Sequence, residues 1–325
     1  MKNKTPIVSI ICVAYNQAEF IRQTLDGFIM QKTNFPFDVI IHDDASTDGT
    51  ADIIREYANK YPKIIKPIFQ TENQYSKNTP ILSKYVWPKI RSKYVAMCDG
   101  DDYWCDENKL QKQVDFLDSH PDFSICFHPV SVFWNDGSQP DSVWPGTAEL
   151  HHKNLKTLMQ RNFIPNCSVM YRWRAGGMNI TKEYPSGIYP CDWFVHLLHA
   201  RHGKIGFLPD IMSRYRRHSG GISFVSEYGD DALHMKYGTA ELNFFIAVEK
   251  QIAPNPQKYH RFVRNRARQI LRTYLGHQDY DNAMYVLKKC PDLIDFDFWD
   301  LINRRHRRWF FAILIIVLIG LGGIL

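Results

Sequence analysis

Two acidic clusters contain the residues of this sequence best suited to chemistry. Asp43 and Asp44 open the stretch DDASTDGT, and Asp99, Asp101 and Asp102 lie in the stretch DGDDYW. Carboxylates at positions i and i+2 of a tight turn can converge on one point, and such oxygen ligands suit Mg²⁺ or Mn²⁺. An ion bound there would retain open positions for substrate phosphates and neutralise charge that develops on a diphosphate leaving group. Either cluster alone is explained equally well as a solvated turn or a helix cap, because Asp is common in turns.

Both clusters follow predicted strands in a pattern where strands and helices alternate. The predicted strands, each rich in apolar residues, are 7–14, 37–42, 64–69 and 94–98. The predicted amphipathic helices between and after them are 20–29, 53–61 and 110–117. This order predicts right-handed crossovers and a parallel sheet covered by helices on both faces. Ligands bind at the carboxyl ends of strands in such sheets, so the two clusters are expected to share a cleft with the residues after strand one.

The ends of the helices are predicted from capping residues. Asn16 is expected to cap the first helix, and Ser46 or Asp48 the second. Further helices are predicted over 192–202, 230–251 and 259–289, with a break near Gly276. The polar stretch 70–84 has no clear assignment.

Two other Asp-rich sites are excluded by their spacing. A calcium-binding EF-hand loop that began at Asp99 would need Gly at its sixth position and Glu at its twelfth. Those positions are Trp104 and Leu110. A phosphatase of the haloacid type needs Thr or Val two residues after its second Asp, where this chain has Tyr103.

Composition limits the classes of partner. The 325 residues suffice for one large domain and a smaller appendage. The formal charge is +6, and four arginines within 304–308 supply much of it, so a broad basic surface for nucleic acid is not expected. Seven cysteines without a C-x-x-C pair argue against a disulfide framework or a structural zinc site, and reduced thiols fit a cytosolic face.

The C-terminal residues predict a membrane anchor. Residues 309–325 read WFFAILIIVLIGLGGIL without a charge, directly after RRHRR. About 17 apolar residues are the lower limit for a membrane-spanning helix, and a basic flank is typical of the cytoplasmic side. The alternatives are a buried C-terminal helix and a helix in the membrane interface. The expected location is therefore the cell membrane, with the preceding domain on the cytoplasmic side.

Four motifs in order resemble those of the family 2 inverting glycosyltransferases, which have a GT-A fold. They are VSIICVAYN, DDASTDGT, DGDDYW and the stretch CDWFVHLLHARHGKIGFLPDIMSRYRRHSGGIS, and the resemblance covers roughly residues 5–225. It implies an α/β, Rossmann-like fold with a mostly parallel sheet flanked by helices. The expected domains are a catalytic domain over 1–225, a helical extension over 226–303, and a basic flank with a membrane segment over 304–325.

The resemblance also implies roles for individual residues. The backbone near Val13 and the ring of Tyr15 would contact the nucleotide base. Asp44, with Asp43 beside it, would bind the base or ribose, and Asp99 would lie near the ribose. Asp101 and Asp102 would bind Mg²⁺ or Mn²⁺. Arg216 or His218 would face the diphosphate, with His218 as a further metal ligand.

Asp192 is the expected catalytic base. An inverting transfer needs a carboxylate within hydrogen-bond distance of the attacking hydroxyl. Asp192 opens a predicted helix, where the helix dipole favours its ionised form, although an ordinary helix N-cap is the alternative. The chain departs from the family pattern at Ala45, where Gly is common, and in 70–84, which lacks an Asn-x-Gly.

The leading hypothesis is transfer of a sugar from a nucleotide diphosphate, most simply a UDP-sugar, to a hydroxyl of a lipid-linked or cell-surface glycan acceptor. One alternative is a sugar nucleotidyltransferase, but the loop AYNQAEF lacks the Gly-rich basic sequence typical of those enzymes. The other is a non-enzymatic, membrane-anchored module that binds a sugar or a nucleotide. Such a module would not need Asp192.

Overall fold

The computed structural model describes residues 5–146 and 153–294. Contacts divide the chain into two compact units. The first comprises the described residues of Met1–Gly187 and Cys191–Gly221, and the second those of Ile188–Pro190 and Ile222–Leu325. The expected domain boundaries after residues 225 and 303 stay predictions.

The first unit alternates strands and helices. Its described strands are β1 (Val8–Ala14), β2 (Phe37–Asp43), β3 (Ile65–Phe69), β4 (Tyr94–Met97), β5 (Tyr103–Trp104), β6 (Phe123–Phe127), β7 (Val130–Trp134), β8 (Ser142–Trp144), β9 (Met170–Arg172), β10 (Lys204–Phe207) and β11 (Ser213–Arg217). Its described helices are α1 (Ile21–Ile29), α2 (Thr50–Lys60), α3 (Lys109–Ser119), α4 (Leu155–Leu158), α5 (Ile180–Glu183) and α6 (Cys191–Ala200).

A mixed sheet of seven strands forms the centre of this unit within the described residues, in the order β10-β6-β9-β4-β1-β2-β3. Strand β1 pairs in parallel with β2 on one side and with β4 on the other. The apolar residues of β1 other than Val13 are buried because the strand is central and covered on both faces, as its continuous apolar run indicates. The sheet is not parallel throughout, since β9 runs antiparallel to both β4 and β6.

A smaller sheet brings a distant segment to the second acidic cluster. Its order is β5-β11-β7-β8 among the described strands. Strand β5 directly follows the DGDD turn and pairs with β11 in an antiparallel register that places Trp104 opposite Ser213. Residues 214–218 therefore run beside the turn.

The predicted cap of α1 is wrong. Helix α1 begins at Ile21 after Phe20, without a side-chain cap. Asn16 instead adopts a left-handed conformation at φ 50°, and its side-chain oxygen accepts a hydrogen bond from the backbone N–H of Thr47 at 2.9 Å. Asn16 therefore ties the loop after β1 to the loop after β2.

The second unit is helical where it is described. It comprises α7 (Asp230–Gln251), α8 (Pro256–Gly276) and α9 (Tyr280–Lys289). Helix α8 ends at Gly276, so the predicted break there is confirmed. Buried side chains of α7 and α8, among them Phe245, Ile270 and Tyr274, form an apolar core.

The expected C-terminal membrane helix requires a correction. Across residues 5–146 and 153–294, no helix is both long enough and apolar enough to cross a membrane. The segment 309–325, on which the expectation rested, lies outside the described residues.

Candidate active site

The two acidic turns meet at the carboxyl end of β1. The backbone N–H of Gly100 donates to the carbonyl of Val13 at 3.0 Å, and that of Asp44 donates to the carbonyl of Ala14 at 3.0 Å. This follows from the sheet, because β2 and β4 flank β1 and all three run in the same direction. The expected shared location of the clusters is therefore what the structure shows.

Gly100 permits this close approach. A Cβ atom at this position would lie 3.1 Å from the Cβ of Ala14 and 2.3 Å from the side-chain oxygen of Gln17. A larger residue would displace the side chain of Gln17 and crowd Ala14, so glycine fits the close approach of the turn to the end of β1.

Asp43 and Asp44 are both almost completely buried, at 2% and 1% exposure. Both oxygens of Asp44 accept backbone N–H groups, from Gln74 at 2.8 Å and from Tyr75 at 2.9 Å. Asp43 accepts from the N–H of Ser46 through one oxygen, and its other oxygen has no hydrogen-bond partner within the described residues. Asp44 thus fixes the loop after β3, and Asp43 is the member of the pair with an unpaired, buried oxygen.

Tyr15 directly follows β1 and is 46% exposed. Such an exposed ring beside the buried carboxylates is suited to stack on a planar group. The carbonyl of Val13 is already bonded to Gly100, so the Val13 backbone positions the turn.

Asp99 begins the second cluster and is paired across the site. The side-chain amide of Asn166 donates to Asp99 Oδ2 at 2.8 Å. Burial, and next the negative charge of Asp101, raise the pKa of Asp99 to about 7, and the charge of Asp192 acts in the same direction. Asp192 therefore lies close enough for its charge to act on the carboxyl of Asp99.

Asp101 and His218 form a contact pair at the open side of the turn. Asp101 Oδ2 lies 3.1 Å from His218 Nε2, and both side chains are partly exposed, at 20% and 15%. The imidazole of His218 also packs on the ring of Phe20, with centroids 4.7 Å apart. A carboxylate oxygen and an imidazole nitrogen thus converge at one point.

Asp102 and Arg216 face the protein interior. Asp102 is 2% exposed, and its Oδ1 accepts the backbone N–H of Arg216 at 2.8 Å. The Arg216 guanidinium donates to the carbonyl of Asp101 and to the side chains of Asn135 and Gln23, at 2.6 to 2.8 Å. These contacts fix the DGDD turn against β11.

Asp192 lies in the first turn of α6, and 32% of its side chain is exposed. Burial of the carboxyl raises its pKa, and this outweighs the opposing effect of backbone N–H donors at Trp193 and at Asp192 itself. The helix position alone predicted the opposite direction. A carboxyl with a raised pKa in a recess is suited to accept a proton.

Three residues at the site were not assigned individual roles from the sequence, although two of them lie in the stretch 163–171, which resembles one that shapes the acceptor side in the family. Asn166 contacts Asp99, while Tyr171 and His196 lie behind Asp192. Asn166 lies in the stretch FIPNCSVMY, and no periodicity marks it, because its partner is 67 residues away.

A metal ion at this site would need ligands from a substrate in addition to those that the protein supplies. Within the described residues, no group of three or more His, Cys, Asp or Glu side chains is arranged to bind a metal ion. Asp101 and His218 supply two ligand atoms at one point. Mg²⁺ is commonly bound by one or two protein ligands together with substrate phosphates and water, so two ligands suit such an ion.

Comparisons with known proteins agree with this geometry. The family model described as "Glycosyl transferase family 2" matches residues 9–177. An uncharacterised protein of Mycobacterium tuberculosis is 44% identical over 223 residues, which are 69% of this chain and 62% of that protein. This chain therefore spans somewhat less than two thirds of that relative.

A characterised relative and a solved structure extend the comparison. The UDP-Glc:alpha-D-GlcNAc-diphosphoundecaprenol beta-1,3-glucosyltransferase WfaP of Escherichia coli is 32% identical over 67% of this chain and 80% of its own length. The crystal structure of S. aureus TarS 1–349 superposes with a TM-score of 0.55 at 15% identity, over 88% of this chain and 83% of that one. The superposition supports the α/β GT-A-like fold.

Proposed function

Because this chain belongs to glycosyl transferase family 2, we propose that it transfers a sugar from a nucleotide diphosphate to an acceptor hydroxyl, with inversion at the anomeric carbon. One observation carries the proposal. A recessed carboxyl, Asp192, lies within electrostatic range of Asp99 in the turn at the end of the central strands. A module that only binds nucleotides has no need of this second, proton-accepting group.

The donor nucleotide is assigned to the end of β1. The exposed Tyr15 ring would stack on the base, and the unpaired oxygen of Asp43 would accept an N–H or O–H group of the nucleoside. A carboxylate acceptor favours uracil, which has an N–H donor, and WfaP by its name uses a UDP-sugar. We therefore propose a UDP-sugar as the donor. Asp44 would act indirectly, through the loop that contains Tyr75.

A divalent ion, Mg²⁺ or Mn²⁺, is assigned to Asp101 and His218. When bound, the ion would neutralise charge on the diphosphate as it leaves. Asp102 and Arg216 would keep Asp101 in position, because their hydrogen bonds connect the turn to β11. Asp102 was expected to be a direct metal ligand, but its Oδ1 already accepts the backbone N–H of Arg216, which favours this supporting role instead.

The acceptor hydroxyl is assigned to the recess beside Asp192. The oxygen of this hydroxyl attacks the anomeric carbon of the donor sugar, and the bond between that carbon and the diphosphate oxygen breaks. The Asp192 carboxylate takes the proton of the hydroxyl. WfaP by its name uses a diphosphoundecaprenol-linked acceptor. We propose a lipid-linked glycan acceptor here as well, with the reaction on the cytoplasmic side of the cell membrane.

The test is a screen of sugar nucleotides with Mn²⁺ and with Mg²⁺, in the presence of lipid-diphosphate-linked sugars, followed by Asp192→Asn. We expect the variant to bind UDP as the wild type does and to lose transfer by a factor of about 10² to 10⁴. Asp106→Asn, a substitution of a carboxylate that pairs with Lys112, is the control and should retain activity. Equal loss of binding and transfer in Asp192→Asn would assign Asp192 to structure. Binding without turnover in the wild type would favour the non-enzymatic module.

A further inference from the structure

The imidazole of His196 lies directly behind the proposed base. His196 is four residues after Asp192 on α6, so both side chains project from the same face of the helix. The ring is completely buried, and its Nε2 lies 4.0 Å from Oδ2 of Asp192. That separation is too long for a hydrogen bond, and Nε2 has no hydrogen-bond partner within the described residues.

The other ring nitrogen of His196 has a close partner. The hydroxyl of Tyr171, also completely buried, lies 2.5 Å from His196 Nδ1. Burial lowers the pKa of His196 to about 3, so the ring is neutral at physiological pH and has a single N–H. Which nitrogen has the proton therefore depends on the direction of the bond with Tyr171.

Only one direction satisfies the neighbouring groups. If Tyr171 donates to Nδ1, the proton of His196 is on Nε2 and faces the Asp192 carboxylate. If Nδ1 donated instead, the Nε2 lone pair would face that carboxylate, and the phenol hydrogen would need another acceptor. A buried lone pair beside a carboxylate is unfavourable, so the Nε2–H form is favoured.

Ring packing keeps this arrangement rigid. The ring of His199 stacks on Tyr171, with centroids 4.2 Å apart and an interplanar angle of 25°. His199 is neutral as well, because burial lowers its pKa to about 4, and its Nδ1 lies 2.9 Å from the carbonyl of Val195. Tyr171 therefore has little freedom to turn away from His196.

We propose that His196 is a positioning residue for Asp192, whose carboxylate it binds through Nε2–H while the second carboxylate oxygen faces the acceptor hydroxyl. The 4.0 Å separation closes by rotation of the Asp192 side chain, which is partly exposed and has room to turn. Hydrogen bonds of catalytic groups are often long before the substrate binds. A neutral donor orients the carboxylate without adding a positive charge. This inference rests on the proposed function, since it assumes that Asp192 accepts the proton.

Two substitutions of His196 separate positioning from packing. The side-chain amide of Gln places an N–H near the position of Nε2. The shorter amide of Asn reaches only the position of Nδ1, so Asp192 loses its hydrogen-bond donor. We expect His196→Asn to lower kcat at least tenfold, with KM for the sugar nucleotide within twofold of the wild type. His196→Gln should retain kcat within threefold. Equal losses in both variants would assign His196 to packing and overturn the proposal. Thermal unfolding of both shows whether they fold.

A second measurement does not depend on activity. In the wild-type protein with ¹⁵N-labelled histidine, we expect the His196 signals to report the Nε2–H form and to shift in Asp192→Asn. Tyr171→Phe should weaken the preference for that form. The Nδ1–H form in the wild type, or signals that do not respond to Asp192→Asn, would overturn the proposal. Absence of transfer in the wild type would instead contradict the proposed function, while the NMR result would still decide the pairing.

Discussion

The side-chain amide of Asn166 donates a hydrogen bond to Asp99 across 2.8 Å and thereby joins the DGDD turn to the turn before β9. Two further hydrogen bonds fix the turn before β9. The indole N–H of Trp104 donates to the carbonyl of Cys167 at 2.9 Å, and the side-chain amide of Gln113 donates to the carbonyl of Ser168 at 2.8 Å. Asn166 is thus held in one orientation, with its own oxygen unpaired within the described residues.

Substitution of Asn166 by Ala is expected to weaken UDP binding about tenfold. Asp99 would lose a hydrogen bond to a charged group, and such bonds contribute roughly 1.5 to 3 kcal/mol. Titration calorimetry with UDP measures the effect. Asn59→Ala, at an exposed position of α2, is the matched control and should bind as the wild type does. Unchanged affinity in Asn166→Ala would show that the hydrogen bond from Asn166 to Asp99 does not contribute to nucleotide binding.

Metal dependence should follow from the pair Asp101 and His218. Chelation with EDTA is expected to abolish transfer, and Mn²⁺ or Mg²⁺ to restore it, because the diphosphate would otherwise leave without charge neutralisation. His218→Ala should raise the half-saturating metal concentration at least tenfold. His120→Ala, a substitution of an exposed histidine in the same unit, should leave that concentration unchanged. Full activity after chelation would contradict the assignment.

Ala45→Gly is expected to stabilise the protein by up to about 1 kcal/mol. Ala45 has a φ of 62°, a left-handed conformation that costs an L-residue roughly 1 to 2 kcal/mol. The greater freedom of Gly in the unfolded chain offsets part of this gain. Ala58→Gly, inside α2, should instead lower the free energy of unfolding by about 1 kcal/mol, because glycine is unfavourable in a helix interior. Urea unfolding measures both, and a loss of stability in Ala45→Gly would show that the loop tolerates its conformation without strain.

His260 in the second unit predicts a pH-dependent contribution to stability. Hydrogen bonds to Asp292 and then to Glu249 raise the pKa of His260 above its ordinary value. A pKa that is higher in the folded protein than in the unfolded chain increases the free energy of unfolding below about pH 6.5. This increase is lost as the pH rises through the pKa of His260 in the folded protein. Because 43% of the side chain is exposed, the effect is small.

We expect His260→Gln to lower the free energy of unfolding by about 0.5 kcal/mol at pH 6 and by almost nothing at pH 9. Urea unfolding of the wild type and the variant at both pH values measures the difference. An equal cost at both values would indicate that packing, and not the charge of the imidazolium, is responsible.

The amino-acid sequence is sufficient to predict the strands at the centre of the sheet and the position of the acidic turns at their ends. The apolar runs at 7–14, 37–42 and 94–98 correspond to β1, β2 and β4, within one or two residues at their ends. Parallel strands end at the same edge, so Asp44 and Asp99 could be expected near β1 without a structure. The anchor expected from 309–325 was a different kind of inference, because it rested on hydropathy and flanking charge; no described helix could cross a membrane, and 309–325 lie outside the described residues.

The folded structure, and not the local sequence, sets which acidic side chains accept backbone N–H groups from distant segments. Asp44 and Asp102 resemble Asp43 and Asp101 in every local feature of the sequence. Both nevertheless turn inward, because backbone N–H groups about 30 and 114 residues away need acceptors. The contact of Tyr171 with His196 likewise joins a strand to a helix 25 residues later. Periodicity and turn chemistry report on neighbours within a few residues, whereas buried polar groups are paired by the packing of distant segments.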